Sequence, residues 1–250
     1  MIRYSDIERE RLLRLSQECL WSDEGGPGRD YLQVQRGLSE ETIRRFGLGF
    51  IPKDSGHQLA NRVVFPLKDP SGNLIVLTTR RIDESLRILP VYWHEAFDKS
   101  AYLFGMDNAK DRIRKTGFAI IVEGQFDVLQ CHNYGVTNTV GTLGTNLDEV
   151  HLSILKRYCD ELILLFDTDT NMSGEKGVRR AEERISRYSV RVDPHDDHLG
   201  DACKSLFRHA SVTLPDKDPD LFLRSRGVDE FKRPIRQELD RLRRSDARAV

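Results

Sequence analysis

Two acidic motifs stand at the ends of two apolar runs. Phe118-Ala119-Ile120-Ile121-Val122 leads into Glu123-Gly124, and Leu162-Ile163-Leu164-Leu165-Phe166 leads into Asp167-Thr168-Asp169. A short continuous apolar run bounded by polar residues reads as a buried parallel strand. Strands of an open α/β sheet present their carboxyl ends to the ligand crevice. Glu123, Asp167 and Asp169 are therefore expected at one edge of one sheet. Three carboxylates there repel one another unless a cation lies among them. Oxygen donors suit a hard divalent ion, so Mg2+ or Mn2+ is the expected cofactor. Ions held in this way activate a hydroxyl nucleophile and stabilise charge on a phosphate leaving group.

The surrounding elements must hold those residues. From Thr116 the sequence alternates. The run 118–122 is followed by a helix over Phe126–Asn133, a strand over Val136–Val140 and a Gly/Thr loop over 141–145. Leu147, Val150, Ile154, Leu155 and Tyr158 have helical spacing, 161–166 reads as the second acidic strand, and Gly177–Arg187 as a helix. Val190–Val192 and Val212–Leu214 are candidate strands. Such alternation predicts a mainly parallel sheet with right-handed crossovers. The stretch 189–210, with Pro194-His195-Asp196-Asp197-His198, reads as an insertion.

The N-terminal part has a different texture. Ser5 and Glu8 form a capping-box pattern ahead of a helix over Asp6–Leu20. Gly25-Gly26-Pro27-Gly28 reads as a break, Asp30–Gln35 as helical, and Glu40–Phe46 as a short helix capped by Ser39 and ended by Gly47. Arg62–Leu67 and Leu74–Thr79 read as strands joined by the turn Asp69-Pro70-Ser71-Gly72-Asn73. The expected fold is an α+β N-terminal subdomain, residues 1–112, followed by an α/β domain with a central, mainly parallel sheet, residues 113–223. Residues 224–250 read as a basic C-terminal helix: from Phe231 onward, seven Lys/Arg stand against three Asp/Glu.

Bulk properties narrow the class. A net charge of −1 argues against a wide, non-specific coat on DNA but permits a local basic groove. No apolar stretch reaches membrane-span length and the N-terminus has no signal-peptide pattern, so no membrane partner and a cytoplasmic location are expected. Cys19, Cys131, Cys159 and Cys203 have no paired spacing and read as reduced core thiols. His195, His198, Cys203 and His209 lie close in sequence, but their spacing fits no common zinc site, and no zinc is expected.

Several motifs in one order resemble a known family. Glu-Gly after one strand and Asp-x-Asp after a later one is the pattern of the Toprim domain. The wider match is to the catalytic core of bacterial DnaG-type primases. The segments that resemble it are Asp30-Tyr31-Leu32, Arg36-Gly37-Leu38-Ser39, Phe46 to Phe50, Asn61 to Leu67, Ser100 to Gly105, Glu123 to Val128, Leu143-Gly144-Thr145 and Leu214 to Asp220. The resemblance implies synthesis of short RNA primers on a single-stranded DNA template from metal-bound nucleoside triphosphates. By position, Glu123 takes the role of the acid/base glutamate. Asp167, Asp169 and Asp218 take the metal-binding roles with Glu123, and Asp127 and Asp220 are supporting acidic residues. Arg36, Arg62, Arg80 or Arg81, and Lys99 fall where the family places basic groups for nucleotide and template. Strand alternation puts only one of Arg80 and Arg81 on the groove face.

The chain also departs from the family. Pro90-Val91-Tyr92 stands where a Pro-Lys-Tyr is usual, the turn after Asp169 is longer, and the 189–210 insertion displaces the last acidic motif. The family's zinc module and helicase-contacting domain find no counterpart, so the reading is a stripped core such as a phage or mobile element encodes, at work in a bacterial or phage-infected cell. It would depend on a replicative helicase and a separate zinc-binding primase subunit for template recognition. The expectation is a primase catalytic subunit. Its rivals are a Toprim metal-dependent nuclease and a non-catalytic module of a replication complex.

Overall fold

A computed structural model of the chain describes residues 4–83, 90–144, 146–167, 173–191, 207–216 and 218–247. The chain forms two compact units, Met1–Asp98 and Lys99–Val250.

The first unit opens with helix α1, Asp6–Leu20. Ser5 caps it reciprocally: its hydroxyl accepts the Glu8 N–H, and the Glu8 carboxylate accepts the Ser5 N–H at 2.8 Å. The Gly/Pro run that follows does not break the chain, contrary to the sequence expectation. A 3-10 turn over Asp23–Gly25 leads into the short helix α2, Gly26–Arg29, and then into a π-helical turn over Asp30–Gln35. Pro27 sits at the start of α2, where its fixed φ favours a helix and its missing N–H costs nothing. Gly28 is there for close packing, because a Cβ on it would lie 2.5 Å from the Phe50 ring. Helix α3, Glu40–Phe46, has the predicted Ser39 cap and ends at Gly47 with φ 64°.

An antiparallel sheet completes this unit in the order β1 (Gly49–Ile51), β2 (Arg62–Lys68), β3 (Leu74–Arg81), β4 (Tyr92–His94). The β2–β3 turn is held by the Asp69 carboxylate, which accepts the N–H groups of Ser71 and Asn73 at 2.8 and 2.9 Å. Leu13, Ile51, Leu59, Val64 and Leu77 pack together as part of its core.

The second unit contains α4 (Met106–Thr116), β5 (Phe118–Val122), α5 (Gln125–Asn133), β6 (Thr139–Gly141), α6 (Glu149–Lys156), β7 (Glu161–Leu164), α7 (Ser173–Arg191), β8 (Arg208–Ser211), α8 (Pro219–Arg226) and α9 (Val228–Ala247). Its sheet runs β6-β5-β7-β8 with every pair parallel. The sequence reading drew the domain line at 112/113. Helix α4 crosses that line and gives Met106, Ala109 and Ile113 to the core of the second unit, beside Ile121, Leu162 and Leu164.

Three further elements differ from the sequence reading. Val190 continues α7 rather than forming a strand, because the amphipathic helix runs on to Arg191. The last sheet strand is Arg208–Ser211, just before the expected Val212–Leu214, so the 189–210 stretch carries regular structure at both ends. The C-terminal region is two helices, separated at Gly227 with φ 81°. Helix α9 is anchored rather than merely solvated. Phe231, Ile235 and Leu239 are buried, and Arg243 donates to the buried Glu161 at the start of β7, with Nη2–Oε2 at 2.7 Å. Among the described residues no helix is long and apolar enough to cross a membrane.

Candidate active site

Strand β5 is buried along Ala119–Val122, so the first polar residue after it, Glu123, emerges at the sheet's carboxyl edge. Strand β7 lies alongside, and Leu165 continues the pairing by donating to Ile121 O at 2.9 Å. Leu165 and Phe166 are also buried, and the next residue is Asp167. The two strand ends meet: the Asp167 N–H donates to Glu123 Oε1 at 3.2 Å.

A second carboxylate ties the neighbouring loops together. Asp127 lies in the first turn of α5 and folds back, so that Oδ2 accepts the Gly124 N–H at 3.0 Å. Its Oδ1 accepts the Asp220 N–H, at the start of α8, at 3.2 Å. One side chain thus joins the Glu123-Gly124 turn to the Asp218-Pro219-Asp220 segment. A Cβ on Gly124 would lie 2.6 Å from Asp127 Oδ2, which is why glycine follows the glutamate. Asp218 caps α8 by accepting the Leu221 N–H at 2.8 Å, and the buried Asp220 pairs with Arg224 at 2.9 Å.

The electrostatics show how closely these acids crowd. Burial pushes the Asp127 carboxyl well above the usual carboxylate range, and the charges of Asp167 and Asp218 push it further. The hydrogen bond from the Asp220 backbone opposes the rise. Among the described residues no three His, Cys, Asp or Glu side chains converge closely enough to hold a metal ion by themselves. Asp169, the third expected ligand, lies outside the described residues. The donor chemistry nonetheless suits a hard divalent cation: carboxylate oxygens only, with a repulsive field on Asp127 that a cation would relieve.

The predicted basic residues fall into two groups on the first unit and one position on the second. Arg62 and Arg81 are direct cross-strand partners on β2 and β3 and share a face. Both are buried. Arg62 donates to Pro90 O at 2.8 Å and Val91 O at 3.1 Å, and burial, then the Arg81 charge, lowers its pKa. Arg81 Nε and Nη1 have no hydrogen-bond partner among the described residues. Arg80 takes the opposite face by alternation. There it donates to the Tyr31 hydroxyl, which Arg36 Nε also reaches at 3.0 Å, and it lies over the Tyr92 ring. Lys99 is exposed, at the start of a 3-10 turn over Lys99–Ala101 in the second unit.

The sequence reading assigned no role to the side chains of Tyr31, Tyr92 or Arg224. Arg224 was legible as an i,i+4 partner of Asp220. Tyr31 was not, since its role depends on the π-helical turn that brings it against Arg36 and on the register that brings Arg80 to it. Of the candidate zinc residues, His195, His198 and Cys203 lie outside the described residues, and His209 is on β8.

Residues 117–194 match the Toprim domain family, and such a domain implies dependence on a divalent cation. The chain is 34% identical over 265 residues to a DNA primase of Aquifex aeolicus, covering 93% of this chain and 47% of that one. It spans between 36% and 47% of the length of the first three curated relatives, all of them DNA primases. A solved DNA primase domain from Pseudomonas aeruginosa superposes with a TM-score of 0.75 at 26% identity, covering 92% of this chain and 78% of that one. A DnaG primase catalytic domain bound to single-stranded DNA shares the fold, with a TM-score of 0.77 at 24% identity over 93% of this chain and 78% of that one. Over nearly its whole length, the chain is therefore similar in sequence and fold to the catalytic core of bacterial DnaG-type primases.

Proposed function

We propose that this relative of the DnaG-type primase cores synthesises short RNA primers on single-stranded DNA by metal-dependent nucleotidyl transfer. The observation that carries this reading is the meeting of Glu123 and Asp167 at the carboxyl ends of β5 and β7, with Asp127 joining that turn to Asp218 and Asp220.

In this reading a 3′-hydroxyl attacks the α-phosphorus of a nucleoside triphosphate. A new P–O bond forms, the α–β P–O bond breaks, and pyrophosphate leaves. Glu123 takes the hydroxyl proton, with its carboxylate held by the Asp167 N–H. Asp167, Asp169 and Asp218, with Glu123, would hold Mg2+ or Mn2+, and the bound ion would supply the positive charge that polarises the phosphate and eases loss of the hydroxyl proton. Asp127 keeps the acidic loops in register, and the Asp220–Arg224 pair fixes the first turn of α8. Phosphate oxygens of nucleotide and template are the natural acceptors for the buried Arg81 nitrogens. Arg36, Arg62, Arg80 and Lys99 supply further positive charge. We assign the work to the cytoplasm, with a replicative helicase and a separate zinc-binding primase subunit as partners in template selection.

The test is to incubate the protein with single-stranded DNA, labelled ribonucleotides and Mg2+ or Mn2+. Short labelled RNA is the expected product. Template cleavage without incorporation would overturn the reading in favour of a nuclease.

A further inference from the structure

His151 is the third residue of α6 and is only 1% exposed. Its Nε2 lies 3.0 Å from Lys99 O and 3.0 Å from Tyr102 O. Its Nδ1 lies 3.1 Å from the Asp148 backbone nitrogen. Carbonyl oxygens only accept and a backbone N–H only donates, so these partners select one form of the ring. The proton lies on Nε2, shared between the two carbonyls, and the Nδ1 lone pair accepts the Asp148 N–H. Beside it the Asp148 carboxylate accepts from Arg184 of α7, which also donates to Leu147 O at 3.1 Å. The ring therefore sits in a fixed frame made by the α6 start and α7. From that frame it holds the turn that carries Lys99. The same segment is fixed further on by the paired backbone bonds between Phe104 and Gly141, at 2.8 and 3.0 Å.

We propose that His151 is a positioning residue: its Nε2–H clamps the 99–102 turn so that the exposed Lys99 side chain is presented in one direction to a phosphate group. This rests on the reading of Lys99 as a phosphate contact. A lysine on a loose turn spends its binding energy on ordering that turn, whereas a lysine on a clamped turn does not. The phosphate belongs either to the incoming nucleoside triphosphate or to the template. The two sources are separated by measuring the nucleotide KM and the Kd for single-stranded DNA in parallel.

Two substitutions divide the ring's functions. In His151→Gln the amide nitrogen stands near the position of Nε2 and keeps the donor to Lys99 O and Tyr102 O. In His151→Asn the amide oxygen stands near Nδ1 and keeps only the acceptor for Asp148 N–H. Amide exchange of the 99–104 segment, measured on the whole chain, is expected to speed up in His151→Asn and to stay near the parent in His151→Gln. The nucleotide KM or the DNA Kd is expected to rise about tenfold in His151→Asn, with kcat little changed, and to recover in His151→Gln. Lys99→Ala is expected to raise the same constant without altering exchange, and adding His151→Asn to it should cost nothing more.

If Asn rescues and Gln does not, His151 serves only the start of α6 and the proposal is overturned. If exchange responds as expected but Lys99→Ala alters neither constant, the phosphate role of Lys99 fails and the positioning role falls with it. If Lys99→Ala weakens binding while His151→Asn alters neither exchange nor binding, the clamp is wrong and the reading of Lys99 stands.

Discussion

Replacing Asp127 with alanine tests whether the acidic loops are held together by one buried carboxylate. The side chain accepts two backbone N–H groups, from Gly124 and Asp220, at a position only 6% exposed. Alanine leaves both donors unpaired, and each buried unsatisfied donor costs about 1–3 kcal/mol. The gross loss is thus about 2–6 kcal/mol. Removing an acid crowded by Asp167 and Asp218 offsets part of it, because the same field pushes the Asp127 carboxyl upward. A net loss of about 2 kcal/mol corresponds to a fall of about 4–8 °C in Tm for a unit of this size. Asp127→Asn keeps one acceptor oxygen and is expected to lose about half as much. The assay is thermal unfolding of the full chain by circular dichroism without divalent ions. An Asp127→Ala protein that melts at or above the parent would show that charge relief outweighs the two hydrogen bonds, and the strut argument would be refuted.

Three other outcomes follow from the packing. Glu161→Ala removes the shared partner of Arg208 and Arg243; both arginines remain partly solvated, so the loss should be about 1–3 kcal/mol, read as faster amide exchange across α9. Gly28→Ala drives a methyl group into the Phe50 ring and should cost about 1–3 kcal/mol in denaturant unfolding of the first unit. Burial lowers the pKa of His209 below its ordinary 6.5, opposed by the Glu182 charge and a hydrogen bond that the ring donates to the Phe207 backbone. The neutral form is therefore favoured by folding: its contribution is present above pH 6.5 and is lost as pH falls through the lowered value. His209→Gln should flatten that limb of the stability–pH curve, and an unchanged slope would contradict the assignment.

The elements that carry the acids were legible because their signals are local. Buried apolar runs ending at Glu123 and Asp167 announce parallel strands, and Ser5, Ser39 and Gly47 mark helix ends by their own chemistry. Other elements depend on partners distant in sequence. Strand β4 has three residues and gains its identity from pairing with β3 through Thr78–Arg80. Helix α8 begins at Asp218-Pro219, a cap followed by a proline in the first turn, a signal masked by reading those residues only as an acidic motif. The basic residues were legible as charges but not as an arrangement. That Arg62 faces Arg81 while Arg36 and Arg80 share the Tyr31 hydroxyl follows from β2–β3 register and from a π-helical turn that no composition rule predicts. His151 offered no sequence signal beyond its place near a helix start, since both of its functions are contacts with backbone atoms.

The central claim is that Glu123 and Asp167 belong to one metal-dependent nucleotidyl-transfer centre. The most direct test measures Mg2+- or Mn2+-dependent incorporation of labelled ribonucleotides on single-stranded DNA by the parent and by the Glu123→Gln/Asp167→Ala double variant, with circular dichroism confirming that both are folded. The account predicts template-dependent RNA from the parent, and at least about a thousandfold less from the variant, the scale expected when an acid/base group and a metal ligand are lost together. Equal incorporation by the two proteins would contradict it.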